Sequence, residues 1–325
     1  MSVFLIRRLL QSVVVVAVMS LLVFVGVFAV GNPVDIFISD RADQAERQRA
    51  IEAMGLDRPL YEQYFIFLGN AVRGNMGNSF AFNEPALKLI AQRFPATLEL
   101  ALSALLLSVL LGIPLGMWAG LHPDSWSGRS VMAGSILGFS LPTFWVGLML
   151  IMIFAVMLGW LPTSGRGQLG VLFGLRSSLL TLDGLRHVLM PSLNLALLNI
   201  SLVIRLTRAG TREALLQDYV KFARAKGLRT SRVIFVHVLK NILIPVVTVV
   251  GLEFGNLLAF SLVTETVFAW PGMGKLIIDS IGVLDRPVVV AYLVFIVFLF
   301  ILINLVVDIL YSVLDPRVRL SAVKA

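Results

Sequence analysis

The chain of 325 residues is 58% hydrophobic and only 14% charged, with a mean hydropathy of +0.90. That balance excludes an ordinary water-soluble domain and indicates an integral membrane protein. The absence of cysteine excludes disulfides and thiol catalysis.

Crossing a bilayer core takes about 20 apolar helical residues. Runs of that length begin near Leu9, Thr97, Val131, Val188, Ile242 and Val288, so the chain reads as an all-α membrane protein with about six transmembrane helices. The first run follows Arg7 and Arg8, and at residues 9–30 it exceeds the roughly 7–15 residues of a signal-peptide apolar region, which makes it an uncleaved span. Four segments are expected: residues 1–30 with the first span, a small helical subdomain over 31–96, a core over 97–315 that holds spans two to six and a cytoplasmic segment over 207–240, and a tail over 316–325.

Within the subdomain, Gly31, Asn32 and Pro33 end the first helix, and residues 40–54 read as a charged amphipathic helix. Asp57 and Pro59 form a second start signal, leading into Leu60, Tyr64, Phe65 and Leu68 at helical spacing. Gly74 and Gly77 mark the turn back toward the second span. That span holds Gly112, Gly116 and Gly120, each four apart, which places a smooth strip on one face for close helix packing. Pro114 inside it is expected to kink the helix. Gly134 with Gly138, and Gly251 with Gly255, repeat the spacing in spans three and five.

Polar groups inside spans are costly unless paired or wetted. Asn194 and Asn199 fall in span four, and Glu253 and Asn256 in span five. They are candidates for a hydrated translocation path, and interhelical hydrogen bonding is the alternative. Asp308, near the end of span six, is expected to pair with Arg205 or Arg208.

The segment between spans four and five carries Arg205, Arg208, Arg212, Lys221, Arg224, Lys226, Arg229, Arg232 and Lys240 against Glu213 and Asp218. The positive-inside bias therefore puts it, and both termini, in the cytoplasm. The net charge of +8 is concentrated on that side, whereas the basic residues of 31–94 are matched by acids, as expected of an extracytoplasmic segment. Basic residues confined to loops between spans, with no binding module around them, exclude a nucleic-acid partner. Lipid headgroups and an acidic protein surface remain.

In the middle of this segment Asp218, Tyr219, Val220, Lys221, Phe222, Ala223, Arg224, Ala225 and Lys226 lead to Gly227. Helix formers fill the stretch, and the glycine is a natural C-terminal cap. Tyr219, Phe222, Ala223 and Lys226 share one face, which suits insertion into a groove on another protein or contact with the inner leaflet.

Enzyme signatures are missing. Gly274-Lys275 is followed by Leu276, and Ala269 stands where a phosphate loop has its first glycine, so the chain is not its own ATPase. Ser140 lacks the following glycine and an intramembrane histidine that a serine hydrolase needs. His122, His187 and His237 stand on different predicted loops, so no metal site is expected.

The stretch 218–227, together with His237, Asn241 and Ile244-Pro245, resembles the cytoplasmic signature of the dipeptide/oligopeptide permeases of ATP-binding-cassette importers. Further matching pieces lie in order along nearly the whole chain. They are residues 4–10, 55–61, Pro95-Ala96-Thr97-Leu98-Glu99, Pro142-Thr143-Phe144-Trp145, residues 161–165, residues 265–272 and Leu314-Asp315-Pro316-Arg317. Lys221, Phe222 and Ala223 stand where the general importer signature has Glu-Ala-Ala, its terminal proline is displaced to Pro245, and Val30-Gly31-Asn32-Pro33 replaces a frequent Pro-Gly-Asp-Pro.

The resemblance implies a type I importer permease fold, working by alternating access. It implies partnership with a homologous second permease, two ATPase subunits that hold ATP and magnesium, and an extracytoplasmic substrate-binding protein. No cofactor is expected on this chain, and residues 218–227 would be the helix that couples it to an ATPase. The implied cargo is a dipeptide or short oligopeptide. Glutathione, a nickel complex or a sugar on the same machinery is the alternative, and an ion-coupled secondary transporter using Glu253 is a more distant one.

Overall fold

A computed structural model describes residues 2–29, 48, 51–52 and 57–314. The expected helix at 40–54, the break at Gly31 to Pro33, the 316–325 tail and the side chain of Asp308 lie outside the described residues. The elements are α1 (Ser2–Ala29), α2 (Leu60–Val72), α3 (Ala86–Leu121), α4 (Trp126–Ser140), α5 (Thr143–Met157), β1 (Gly170–Leu172), β2 (Leu175–Ser177), α6 (Leu182–Leu216), α7 (Asp218–Ala225), α8 (Thr230–Val267), α9 (Met273–Gly282) and α10 (Arg286–Leu314). Among the described residues α3, α6, α8 and α10 are each long and apolar enough to cross a membrane, and α4 with α5 passes the same test as a bent pair. With the 28-residue α1, these supply the expected set of spans.

The chain divides into two units, Met1–Pro95 with Lys275–Leu302, and Ala96–Gly274 with Ile303–Ala325. In the first, α2 starts directly after Pro59 and lies on α1. Its Tyr64 hydroxyl meets Ser20 Oγ at 2.8 Å, and Phe24 packs edge-on against Tyr64 with ring centres 5.4 Å apart. Phe67 completes the contact, whereas Leu60 and Phe65 are exposed. Tyr64, Phe67 and Leu68 are half-buried, so of the expected set Leu60, Tyr64, Phe65 and Leu68 the second and fourth are covered and the other two are not. Asp285, fully buried, gathers the following loop. It accepts the Ser79 hydroxyl and the N–H groups of Phe80 (3.1 Å) and Ala81 (3.3 Å).

Helix α3 begins at Ala86, ahead of Thr97, where the apolar run starts. Its first turns are amphipathic: Ala86, Leu89 and Ile90 are buried while Lys88 and Gln92 are exposed. A run of apolar residues is therefore a late marker of this helix. It continues through Pro95 and Pro114 to Leu121.

In the second unit α6 is the central helix, with most of its apolar stretch buried. Thr181 caps its N-terminus by accepting the Gly184 N–H. Span three departs from a single helix: Pro142 drives Leu141 into an extended conformation (φ −83°, ψ 136°), and α4 and α5 meet at a bend of 108°. The segment after α5 forms the antiparallel hairpin β1–β2, closed by Phe173 (φ 50°) and Gly174 (φ 82°). Two consecutive positive φ values make the two-residue turn whose twist suits a hairpin. The all-helical reading missed it because three-residue strands carry too little alternation to register.

Candidate functional site

Helix α7 is separated from α6 by Gln217 in an extended conformation (φ −72°, ψ 148°). Val220 and Ala223, 0% and 4% exposed, pack with Val203, Ala214, Val233, Val238, Ile242 and Val246 of the flanking helices. Ala223 therefore faces the chain's own core, and the sequence-based grouping of it with Tyr219 and Phe222 on a partner-facing side is corrected. The reason is the angular position of Val220, which turns the 220/223 edge inward and leaves Tyr219 (39% exposed) and Phe222 (61%) outside. Asp218, Lys221, Arg224, Ala225, Lys226 and Gly227 are exposed as well.

The C-terminal end of α7 is tied off twice. The Gly227 N–H donates to the Arg224 carbonyl (2.9 Å) and the Leu228 N–H to the Ala223 carbonyl (3.3 Å), the paired bonds of a Schellman motif. Gly227 sits at φ +72° with nothing within 4 Å of a would-be β-carbon, so its need is conformational and not spatial. Leu228 packs back on the same core. Outside, the Lys226 ammonium lies 4.5 Å from the Phe222 ring centre, and Lys221 donates to Asp218 at 2.9 Å. The hydrogen bond and charge of Lys221 hold the Asp218 carboxyl below its usual range. The result is a short helix fastened on one side and presenting two aromatic rings among cations on the other.

Three glycines of α3 set the contact with α6. A β-carbon on Gly112 would stand 2.6 Å from Val203, on Gly116 2.7 Å from the Ile204 carbonyl oxygen and from Thr207, and on Gly120 2.7 Å from Thr211. Backbone lies against backbone for more than two turns, a geometry only glycine permits. Because α6 leads directly to α7, the packed pair α3–α6 joins the membrane segment to the exposed helix.

Three of the four polar span residues meet in one place. Asn199, Glu253 and Asn256 line a cavity of about 330 Å³ together with Thr143, Leu195, Leu198, Leu257, Phe260, Val263 and Thr264. Asn256 Nδ2 donates to Glu253 Oε2 at 3.2 Å. Asn194 stands apart from that lining: it is fully buried and donates to Thr264 Oγ1 at 2.9 Å, bridging α6 to α8.

Two further carboxylates carry structure that sequence reasoning passed over. Glu265, 0% exposed, accepts the Thr97 hydroxyl at 2.7 Å and the Ser261 hydroxyl at 3.0 Å. Thr97 Oγ1 in turn accepts the Met273 N–H at 2.8 Å, and Trp270 Nε1 donates to the Ala96 carbonyl. Any side chain at Gly272 would run into the Glu265 carboxylate. Glu99 pairs with Arg166 and receives the Ser178 N–H, pinning both ends of the β1–β2 segment to α3. Both acids lay inside stretches singled out by resemblance, 95–99 and 265–272, which was the available signal. Among the described residues no cluster of His, Cys, Asp and Glu suits a metal.

Comparison with known proteins gives a consistent picture. The family model described as "Binding-protein-dependent transport system inner membrane component" matches residues 112–320, and the N-terminal model of the same systems matches residues 1–101. The chain is 43% identical over 302 residues to the di/tripeptide transport system permease protein DppB of Pseudomonas aeruginosa, covering 89% of this chain and 90% of the relative. It is 38% identical to the oligopeptide transport system permease protein AppB of Bacillus subtilis, covering 98% of this chain and all of the relative. Identity is also 38% to the glutathione transport system permease protein GsiC of Escherichia coli, over 97% of this chain and 98% of the relative. Among solved structures, the inward-facing MetNI methionine ABC transporter matches with a TM-score of 0.55 at 17% identity, over 70% of this chain and 97% of that one. That likeness establishes the fold.

Proposed function

Since the chain belongs to the family of binding-protein-dependent transport system inner membrane components, we propose that it is the membrane-spanning permease of an ATP-driven importer for dipeptides or short oligopeptides. Its long relatives that are named for peptides, similar from end to end, support that cargo. The chain is a multi-pass protein of the cytoplasmic membrane, with both termini and α7 on the cytoplasmic side in accord with the positive-inside bias.

The observation that carries the mechanism is α7. Its inner edge, Val220 and Ala223, is buried in the core, and its outer edge presents Tyr219 and Phe222. Aromatic anchors ringed by cations are suited to a groove on a protein partner. In this reading α7 docks on one of two ATPase subunits, which bind ATP and magnesium and hydrolyse the nucleotide. A homologous second permease supplies the other half of the pore, and a binding protein delivers cargo from outside. Closure of the ATPase pair moves α7, and the α3–α6 contact, too tight to slip, carries that movement into the spans as a rigid body. Alternating access then follows from the two states' different contacts, with no covalent change in the cargo.

The test is reconstitution with the partner subunits in liposomes. Binding protein loaded with dipeptide should raise ATP hydrolysis and peptide uptake together. Stimulation by glutathione and not by dipeptides would move the cargo to the glutathione reading, which the similarity to the glutathione permease also favours. Ion-driven uptake without ATP would overturn the importer assignment.

A further inference from the structure

Glu253 lies in the interior of α8, a helix long and apolar enough to cross a membrane. An ionised carboxylate at such depth is expensive unless a partner offsets it. Its one hydrogen bond among the described residues comes from Asn256, three residues on, at 3.2 Å to Oε2. An amide brings no countercharge, and Oε1 receives no donor among the described residues. None of the residues lining the cavity is Lys, Arg or His, so the lining offers a carboxyl group and no cationic side chain.

The rest of the cavity is of a different character. Leu195, Leu198, Leu257, Phe260 and Val263 make apolar walls, and its volume of about 330 Å³ falls at the lower end of the range of about 300–1,000 Å³ usual for small-ligand sites. Asn199 and Asn256 add amides on either helix, α6 and α8. One anionic point, neutral hydrogen-bonding groups beside it and an undemanding apolar wall fit a solute with one fixed cation and a variable, uncharged body.

We propose that Glu253 is a transient binding site for a primary ammonium, the N-terminal amine of the peptide in transit. The proposal rests on the reading of this chain as a peptide importer's permease. An ammonium has three donors and no acceptor. It can satisfy Glu253 Oε1 while Asn256 holds Oε2, and the Asn199 amide is then available to a peptide carbonyl. The apolar walls impose no identity on the side chains, so the site reads the feature that all linear peptides share. A weak contact with only one charged group lets the cargo leave again, as transport requires.

The experiment uses the reconstituted importer, with dialanine and N-acetyl-dialanine as probes at concentrations that load the binding protein. ATP hydrolysis is recorded beside uptake. Glu253→Gln, which keeps shape and hydrogen bonding, should lower dialanine uptake per ATP about tenfold or more, the scale of one lost charge-assisted hydrogen bond. Its slow N-acetyl-dialanine flux should stay within about twofold of wild type on the same scale, and Glu253→Asp should recover part of the dialanine rate. Equal loss of both fluxes, with the two permeases no longer co-purifying, would show that Glu253 instead pairs with a cation of the second permease. Unchanged uptake of both probes would equally overturn the ammonium site while leaving the importer reading intact. Wild type that moves neither probe under ATP would overturn both readings.

Discussion

Gly116 of α3 and Ile204 of α6 lie so close that a β-carbon on the glycine would stand 2.7 Å from the isoleucine's carbonyl oxygen. Carbonyl oxygen cannot rotate away as a side chain can, so the helices must part. Gly116→Ala should destabilise the fold by about 1–3 kcal/mol, the usual cost of overpacking. Gly134→Ala, at a glycine with open space around it, should be neutral or slightly stabilising by helix propensity. Thermal unfolding of the purified protein in detergent, read for the two variants side by side, checks this.

Thr97 joins Glu265 to the backbone of Met273 through one hydroxyl. Thr97→Val keeps the volume and removes the donor, leaving the buried carboxylate with fewer partners and the Met273 N–H unpaired. A loss of about 1–3 kcal/mol for each orphaned group is expected. Thr97→Ser, which keeps the hydroxyl, should lose far less. Denaturation midpoints for the two variants distinguish a hydrogen-bonding role from a packing one.

The pair Glu99–Arg166 fastens the β1–β2 segment. Arg166→Met removes the cation from an acid only 6% exposed, and breaking such a pair costs about 3–5 kcal/mol locally. The hairpin should loosen first. Chymotrypsin cleavage after Phe173, whose side chain is already 96% exposed, should become faster, while the helices of the second unit remain intact on the same gel.

Gly227 holds φ +72° in open space. Asn tolerates that conformation better than other L-residues, and a β-carbon otherwise costs about 1–2 kcal/mol there. Gly227→Asn should keep ATPase coupling near wild type, Gly227→Ala should weaken it modestly, and Gly227→Pro should abolish it, since proline fixes φ near −65° and removes the N–H given to Arg224. Coupled ATP hydrolysis in membranes gives the ranking. An order that follows side-chain size and not φ would contradict the assignment.

Much of this was legible in the residues. Gly112, Gly116 and Gly120 mark their contact by spacing alone, since a strip of absent side chains serves little but close approach. Gly227 marked the end of α7 because only a left-handed cap needs glycine there. What escaped shows the limits of periodicity. The covering of Phe67 on α2 while Leu60 and Phe65 stay exposed, and the inward turn of Val220 with Ala223, depend on which neighbour each helix meets, and a one-dimensional pattern does not contain that. The bend at Leu141-Pro142 was not anticipated, whereas proline at Pro114 and Pro95 leaves α3 continuous, and only the surrounding packing separates the cases. Asn194 and Asn199 look alike in sequence. One bridges α6 to α8 and the other lines the cavity, because five positions along a helix point to different neighbours.

Co-purification decides whether the outer edge of α7 is an ATPase contact. Ala223→Asp is a poor probe because Ala223 is buried and the variant would undock the helix. Phe222→Ala leaves the inner edge untouched and removes a side chain that is 61% exposed. The Phe222→Ala protein should reach the membrane and unfold at the wild-type temperature, but retain the ATPase at least about tenfold less well, the scale of a hot-spot aromatic. Wild-type retention of the ATPase with undiminished peptide uptake would contradict it.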